Sequence, residues 1–256
     1  MLADPYDAFL LDLDGVLYRG PEPIQGSPEA VERLRAAGKR IAFVTNNSSR
    51  TPEQLAERLT SLGIRAEPRE VVTSALATAD LLAERGTGSA FVVGEDGLRT
   101  ALSDAGIELV DGSDRTVDAV VVGFDRKADY VKLKDGAVHV ERGAALVASN
   151  RDPSFPAPGG EAWPGAGALL AVIETTTGIR GEIVGKPEAP LLRRALERAG
   201  GGRPLVVGDR LDTDVAGAVR LGWDSGLVLT GSTRREQLDA SPWKPTFVVD
   251  SLADLA

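Results

Sequence analysis

The sequence predicts an α/β protein whose parallel sheet is buried between helices on both faces. Three observations carry that expectation. Short runs of Val, Leu, Ile and Ala alternate with amphipathic stretches that close on glycine, which is how repeated βαβ units read. Only 5% of the residues are aromatic, so the interior has to be aliphatic, as suits strands covered by helices. At 256 residues and without cysteine, the chain can bury an ample core and needs neither disulfide nor structural metal.

In chain order the strand candidates are Ala8–Leu11, Ile41–Val44, Phe91–Val93, Ala119–Val122, Ala145–Ala148, Ile183–Val184, Leu205–Val207, Leu227–Leu229 and Phe247–Val249. Ser27-Pro28 and Thr51-Pro52 each pair an N-cap with a first-turn proline, and Gln54 completes a capping box behind Thr51. Gly38, Gly63, Gly106, Gly200 and Gly222 stand where left-handed C-caps are expected. His139, in the alternating stretch Gly136 to Val140, reads as a half-exposed strand residue. Between Asp152 and Gly167 the rhythm breaks at Pro153, Pro156, Pro158 and Pro164 and at Gly159, Gly160, Gly165 and Gly167. A long irregular stretch of this kind is usually functional or a linker, and Trp163 within it argues against a loose tether.

Composition removes several classes. With 29 Lys+Arg against 38 Asp+Glu, the net charge is −9, which disfavours a general nucleic-acid or anionic-membrane binder. The absence of cysteine excludes thiolate zinc, iron–sulfur and cysteine-nucleophile chemistry. The single histidine cannot build a multi-histidine metal site, and a Ser-His-Asp triad would have to run through it. Met1 to Asp7 carries neither a basic residue nor an apolar run, and nothing approaches the roughly 18 apolar residues of a membrane span. The expectation is a soluble, cytoplasmic protein.

The chemistry gathers at strand ends. Asp12 and Asp14 leave the first strand at i, i+2, so both carboxylates project to one side where open α/β sheets bind ligands. Gly15 directly after them permits a sharp turn beside a ligand. Two nearby buried carboxylates call for a cation, although a solvated strand end is the bland alternative. Thr45-Asn46-Asn47-Ser48 end the second strand ahead of a capped helix, which suits a phosphate cradle or an ordinary polar turn. The chain has six lysines against 23 arginines. Lys186, between Gly185 and Pro187, offers a compact ammonium where a guanidinium fork fits less well, or is a surface turn. Asp209 ends another strand and Asp214 lies just inside the next helix; either is also explicable as a helix-start acid, with Asp212 the better simple N-cap.

In this order the four strand ends closely resemble the haloacid dehalogenase superfamily of phosphohydrolases. Asp12-Leu13-Asp14-Gly15 matches its first motif, Thr45-Asn46 its second, Lys186 its third, and Gly208-Asp209 with Asp214 its fourth. The wider strings Thr45-Asn46-Asn47-Ser48, Gly185-Lys186-Pro187 and Gly208 to Asp214 look like the NagD and p-nitrophenyl-phosphatase branch. The resemblance implies a Rossmann-like, doubly wound core over residues 1–74 and 181–256, with an inserted smaller α/β cap over 75–180 that selects substrate.

It further implies a Mg²⁺-dependent phosphatase acting on small phosphorylated metabolites of the sugar phosphate, glycerol phosphate, phosphoglycolate, nucleotide or p-nitrophenyl phosphate type. Asp12 would be the nucleophile that becomes an aspartyl-phosphate; its reference pKa near ~3.9 leaves it ionised without a general base. Asp14 would be the acid and base. Asp12, the Asp14 carbonyl and Asp209 would hold Mg²⁺, with Asp214 orienting Lys186 or a metal-bound water. Thr45, Asn46 and Lys186 would hold the phosphoryl oxygens, Asn47 would join the cradle, and Arg151 and Asp152 in the cap are candidate substrate contacts. The competing readings are a halocarboxylate dehalogenase, which Asp14 disfavours, a phosphomutase or phosphotransferase of the same fold, and a non-enzymatic signalling domain that stores an aspartyl-phosphate. No nucleic-acid or membrane partner is expected, and monomer or homodimer stays open.

Overall fold

The apolar run Ala8–Leu11 is sealed from solvent along its length. In the computed structural model, which describes residues 2–156 and 161–255, it lies inside a six-stranded sheet. The strand order is Phe247–Val249, Asp224–Val228, Pro204–Gly208, Ala8–Leu11, Arg40–Thr45, Val71–Thr73. Ala8–Leu11 runs parallel to both neighbours, with Leu11 opposite Val207 on one side and Phe43 on the other. A strand paired on both edges and covered on both faces has no polar side, so its sequence is continuously apolar rather than alternating. The chain adds strands outward in one direction through Arg40–Thr45 and in the other through Pro204–Gly208. Such a reversal leaves a crevice beyond the carboxyl ends of the two strands that flank it.

Contacts divide the chain into two units. One comprises Met1–Thr45, Pro52–Val72 and Lys186–Ala256; the other Asn46–Thr51 and Thr73–Gly185. The first holds the six-stranded sheet around Phe9, Leu11, Leu13, Phe43, Leu205 and Val207. The second has its own five-stranded sheet, ordered Glu182–Ile183, Ala145–Ala148, Ala119–Val122, Ser89–Val93, Glu108–Leu109 and parallel at every pairing. Its core is Phe91, Val120, Val122, Leu146, Leu170 and Ile173, aliphatic apart from one ring. The short segment Asn46–Thr51 packs with the second unit, although it follows a strand of the first.

Several local expectations need correction. Ser27 is not a cap: the helix Ser27–Ala36 is capped by Gly26, and the buried Ser27 hydroxyl donates to the Val16 carbonyl at 2.9 Å. His139 is not on a strand but on the helix Tyr130–Glu141, which opens where Asp129 accepts the Lys132 N–H. Five alternating residues were too few to separate a strand from a helix whose start signal lay seven residues upstream. His139 is 1% exposed, tilted against Phe91 with ring centres 5.1 Å apart, and its Nε2 lies 2.8 Å from the Gly112 carbonyl oxygen. The strand Val71–Thr73 was not expected, since three residues leading straight into the helix Ser74–Glu84 show no period. The irregular Asp152–Gly167 stretch contains an antiparallel pair, Ser154–Pro156 with Ala162–Pro164; Pro158, Gly159 and Gly160 lie outside the described residues. The five glycines expected at left-handed C-caps all have positive φ. No helix among the described residues is long and apolar enough to cross a membrane.

Candidate active site

Asp12 continues the central strand, its N–H donating to the Val207 carbonyl at 2.9 Å. This bond, next to a strand paired on both edges, fixes its backbone before any side-chain contact forms. Lys186 Nζ lies 2.5 Å from Asp12 Oδ1, 2.6 Å from Asp214 Oδ1 and 3.5 Å from the Val44 carbonyl oxygen. Asp214 sits on a turn of π-helix, Leu211–Val215, that leads into the helix Ala216–Leu221; such turns recur at functional sites. Its Oδ2 accepts from the Arg210 N–H at 3.2 Å and from the Thr213 hydroxyl at 3.3 Å. The carboxylate lies where a Cβ on Gly208 would have to go. Asp209 Oδ2 accepts from the Ser232 N–H at 2.5 Å. One carboxylate oxygen from each of Asp12, Asp209 and Asp214 falls within 4.8 Å of the others, so these three could hold a metal ion.

The remaining motif residues divide clearly. Thr45 is buried at the end of Arg40–Thr45. Asp14 is exposed and its side chain is outside the three-acid cluster, while Gly15 turns at φ 81° with its N–H donating to the Tyr18 carbonyl at 2.8 Å. Asp212 is neither N-cap nor site residue; Arg210 is the N-cap, and Asp212 points outward to pair with its guanidinium at 2.9 and 3.0 Å. The sequence reading missed Thr230, Gly231 and Ser232. They carry no motif, and only the packing of Gly231 on Asp209 reveals them.

Charge dominates the site. Three carboxylates share one ammonium, leaving an excess of negative charge with little water to screen it. Burial pushes Asp12 well above the usual carboxylate range; Lys186 opposes that, and Asp214 and Asp209 add to it. Burial, then the Asp214 charge, also raises Asp209. Burial pulls the Lys186 ammonium down, but Asp12 and Asp214 together outweigh it and hold the group protonated. The reference value that made Asp12 look ionised unaided does not apply to this surrounding.

In the second unit the expected binding residues form their own network. The Asn46 carbonyl accepts from the Ser74 hydroxyl at 2.6 Å and from Asn150 Nδ2 at 2.7 Å, and Asn46 Nδ2 donates to Asp152 Oδ2 at 3.1 Å. Asn47 Oδ1 accepts from the Ser49 N–H and hydroxyl at 2.8 and 2.7 Å, an Asx turn that shapes the loop. Arg151 is paired within the same unit. Its guanidinium makes a two-pronged pair with Glu174 at 2.7 and 2.9 Å, and Glu174 also accepts from Arg180 and the Gly181 N–H. These contacts tether the helix Ala166–Thr177 to Arg151.

Comparison with known proteins identifies the family of the chain. The family model "Haloacid dehalogenase-like hydrolase" matches residues 9–108, and a HAD-hydrolase-like model matches residues 183–255. An acid sugar phosphatase of Staphylococcus aureus (strain USA300) is 40% identical over 245 residues, covering 94% of this chain and 93% of the relative. The structure of a glycerol phosphate phosphatase from Mycobacterium tuberculosis in complex with magnesium is 35% identical, with a TM-score of 0.94 over 99% of this chain and 77% of that one. NagD from E. coli K-12 is 30% identical, with a TM-score of 0.91 over 98% of both chains. The chain therefore belongs to the haloacid dehalogenase-like hydrolases, with the NagD-like phosphatases, and is a phosphoric monoester hydrolase.

Proposed function

We propose that this chain is a cytoplasmic, Mg²⁺-dependent phosphatase that hydrolyses small phosphorylated metabolites through an aspartyl-phosphate on Asp12. The observation that carries the reading is the Lys186 ammonium between Asp12 and Asp214, with an Asp209 oxygen within 4.8 Å of oxygens of both acids. An ammonium beside a strand-end carboxylate is what a phosphoryl group with an aspartate nucleophile requires.

Mg²⁺ fits the donor set. Hard oxygen ligands and an uncompensated negative charge both favour a small divalent cation. Asp12, Asp209 and the backbone carbonyl of Asp14 would hold it. Asp214, already engaged by Lys186, the Arg210 N–H and the Thr213 hydroxyl, serves better to orient Lys186. When bound, the cation supplies charge neutralisation at the phosphoryl oxygens and lowers the pKa of Asp12.

The chain's own residues do the rest. An Asp12 oxygen attacks phosphorus, forming a P–O bond as the ester P–O bond breaks, and Asp14 gives its proton to the departing alcohol oxygen. Asp14, now ionised, takes a proton from water as that water attacks the aspartyl-phosphate, which frees Asp12 and inorganic phosphate. Lys186, the Thr45 hydroxyl and the Asn46 N–H balance the phosphoryl charge. Asn47 and Asp152 serve substrate binding through the loop that contains Asn46, and the second unit is the cap that selects substrate.

The named activities of the similar proteins make sugar phosphates and glycerol phosphate the first substrates to try. The test is inorganic phosphate release from a panel of such esters, with and without Mg²⁺, beside Asp12→Asn. Mg²⁺-dependent release that the substitution abolishes is expected. Full turnover in excess EDTA, or in Asp12→Asn, would overturn the reading.

A further inference from the structure

The segment that follows the strand Asp224–Val228 makes three directed contacts with the two carboxylate-bearing turns and one with Arg19. The Thr230 hydroxyl donates to the Gly15 carbonyl at 2.6 Å, and the Arg19 guanidinium donates to the Thr230 carbonyl. The Ser232 N–H meets Asp209 Oδ2 at 2.5 Å, and the Thr233 N–H meets the Asp209 carbonyl at 3.2 Å. Between them lies Gly231. Its φ is outside the left-handed region, so any residue could adopt its backbone. What a side chain cannot do there is fit, because a Cβ on Gly231 would overlap the Asp209 carboxyl group. The same carboxyl group also excludes a side chain at Gly15: a Cβ there would come within 2.6 Å of Asp209 Oδ2 and 2.9 Å of the Gly231 Cα. The Asp209 carboxylate thus packs against two glycines, neither of which has room for a side chain, and is oriented by one amide.

We infer that Thr230, Gly231 and Ser232 form a strap that positions Asp209 for the metal and ties it to the Asp12–Gly15 turn. They are positioning residues: none is itself a ligand, and each acts through Asp209 or Gly15. The inference rests on Asp209 being a metal ligand, as proposed above. Groups that orient a metal's ligands typically contribute ten- to a hundredfold to its affinity.

The test is Mg²⁺ affinity, by calorimetric titration of the full chain without substrate, together with the thermal midpoint of the metal-free protein. Gly231→Ala, by displacing the Asp209 carboxylate, should weaken Mg²⁺ binding roughly ten- to a hundredfold, with the metal-free midpoint reporting that the chain still folds. Thr230→Val, which keeps shape and loses the hydroxyl, should weaken it several-fold, and Thr230→Ser should restore it. Asp209→Asn is the reference. If Asp209→Asn binds Mg²⁺ normally, the assignment of Asp209 as ligand is wrong and the strap falls with it. If Asp209→Asn loses Mg²⁺ but Gly231→Ala retains it, the strap alone is wrong. Should Gly231→Ala fail to fold, equal affinities for Thr230→Val and Thr230→Ser overturn the inference.

Discussion

The ammonium of Lys186 and the carboxylate of Asp214 stand 2.6 Å apart, with 3% and 2% of their side chains exposed. A pair so dry is worth little against a hydrophobic substitute, but breaking it strands a charge. Lys186→Met would leave Asp12, Asp209 and Asp214 without a counter-charge. It should cost about 3–5 kcal/mol, read as a fall in the urea midpoint, and abolish phosphate release. Lys186→Arg should not rescue activity, since the guanidinium fork cannot sit between two carboxylates in the space an ammonium fills.

The site also predicts how stability couples to pH and metal. Asp12 and Asp209 both sit above the ordinary carboxylate range, so the folded chain keeps their protons to higher pH than the unfolded chain does. The stability this gives is full below the unfolded value of about 3.9 and is lost as pH rises through the folded values. For metal-free protein this contribution should be smaller at about pH 8 than at about pH 5. Mg²⁺ competes with those protons, so its stabilising shift in thermal midpoint should grow with pH. A shift that is constant or shrinks with pH would sink the assignment of these acids as ligands.

Why the residues of the candidate site stand out in the sequence while the strap residues do not follows from where each one sits. Asp12, Thr45 and Asp209 each end a buried strand, and a polar residue directly after an apolar run is visible without coordinates. The strand Ala8–Leu11 was legible to the residue for the same reason. Gly231 and Ser232 lie in a turn with no period, and their meaning comes from a carboxyl group more than 20 positions earlier. The pairing of Arg151 was not visible because a chain position cannot reveal its partner: Glu174, 23 residues on, takes both prongs of its guanidinium. His139 misled because a helix seen five residues at a time resembles an alternating strand.

Asp152 offers a test of the cradle loop that leaves the nucleophile untouched. Its carboxylate accepts from Asn46 Nδ2 at 3.1 Å, while Ser74 and Asn150 hold the Asn46 carbonyl. Together these hold the side chain and the carbonyl of Asn46, the residue that follows Thr45. Asp152→Ala should remove this hydrogen bond from the Asn46 side chain and lower kcat/KM by roughly ten- to a hundredfold, the range of a lost charge-assisted hydrogen bond. Asp152→Asn, which retains an acceptor oxygen, should recover part of the loss. Steady-state kinetics on p-nitrophenyl phosphate decides it, and equal kinetics in all three proteins would show that Asp152 does not act through Asn46.

Glu174 supplies the acid-side counterpart in the second unit. Its side chain is 5% exposed, and hydrogen bonding from Arg151 first, then the Gly181 N–H and Arg180, outweighs burial and draws its pKa from 4.5 down to about 2. A lowered folded value means the stability is present above about 4.5 and drains away as pH falls to about 2. Glu174→Gln should therefore lower the urea midpoint at neutral pH. The loss should be about 1–2 kcal/mol, at the low end for a charged hydrogen-bond network because the two arginine side chains are 42% and 81% exposed. As the pH is lowered through that window the gap between wild type and variant should close, because the wild-type carboxyl group becomes neutral like the amide. A gap that persists undiminished at the acid end would assign the loss to packing of the helix Ala166–Thr177 rather than to the charge on Glu174.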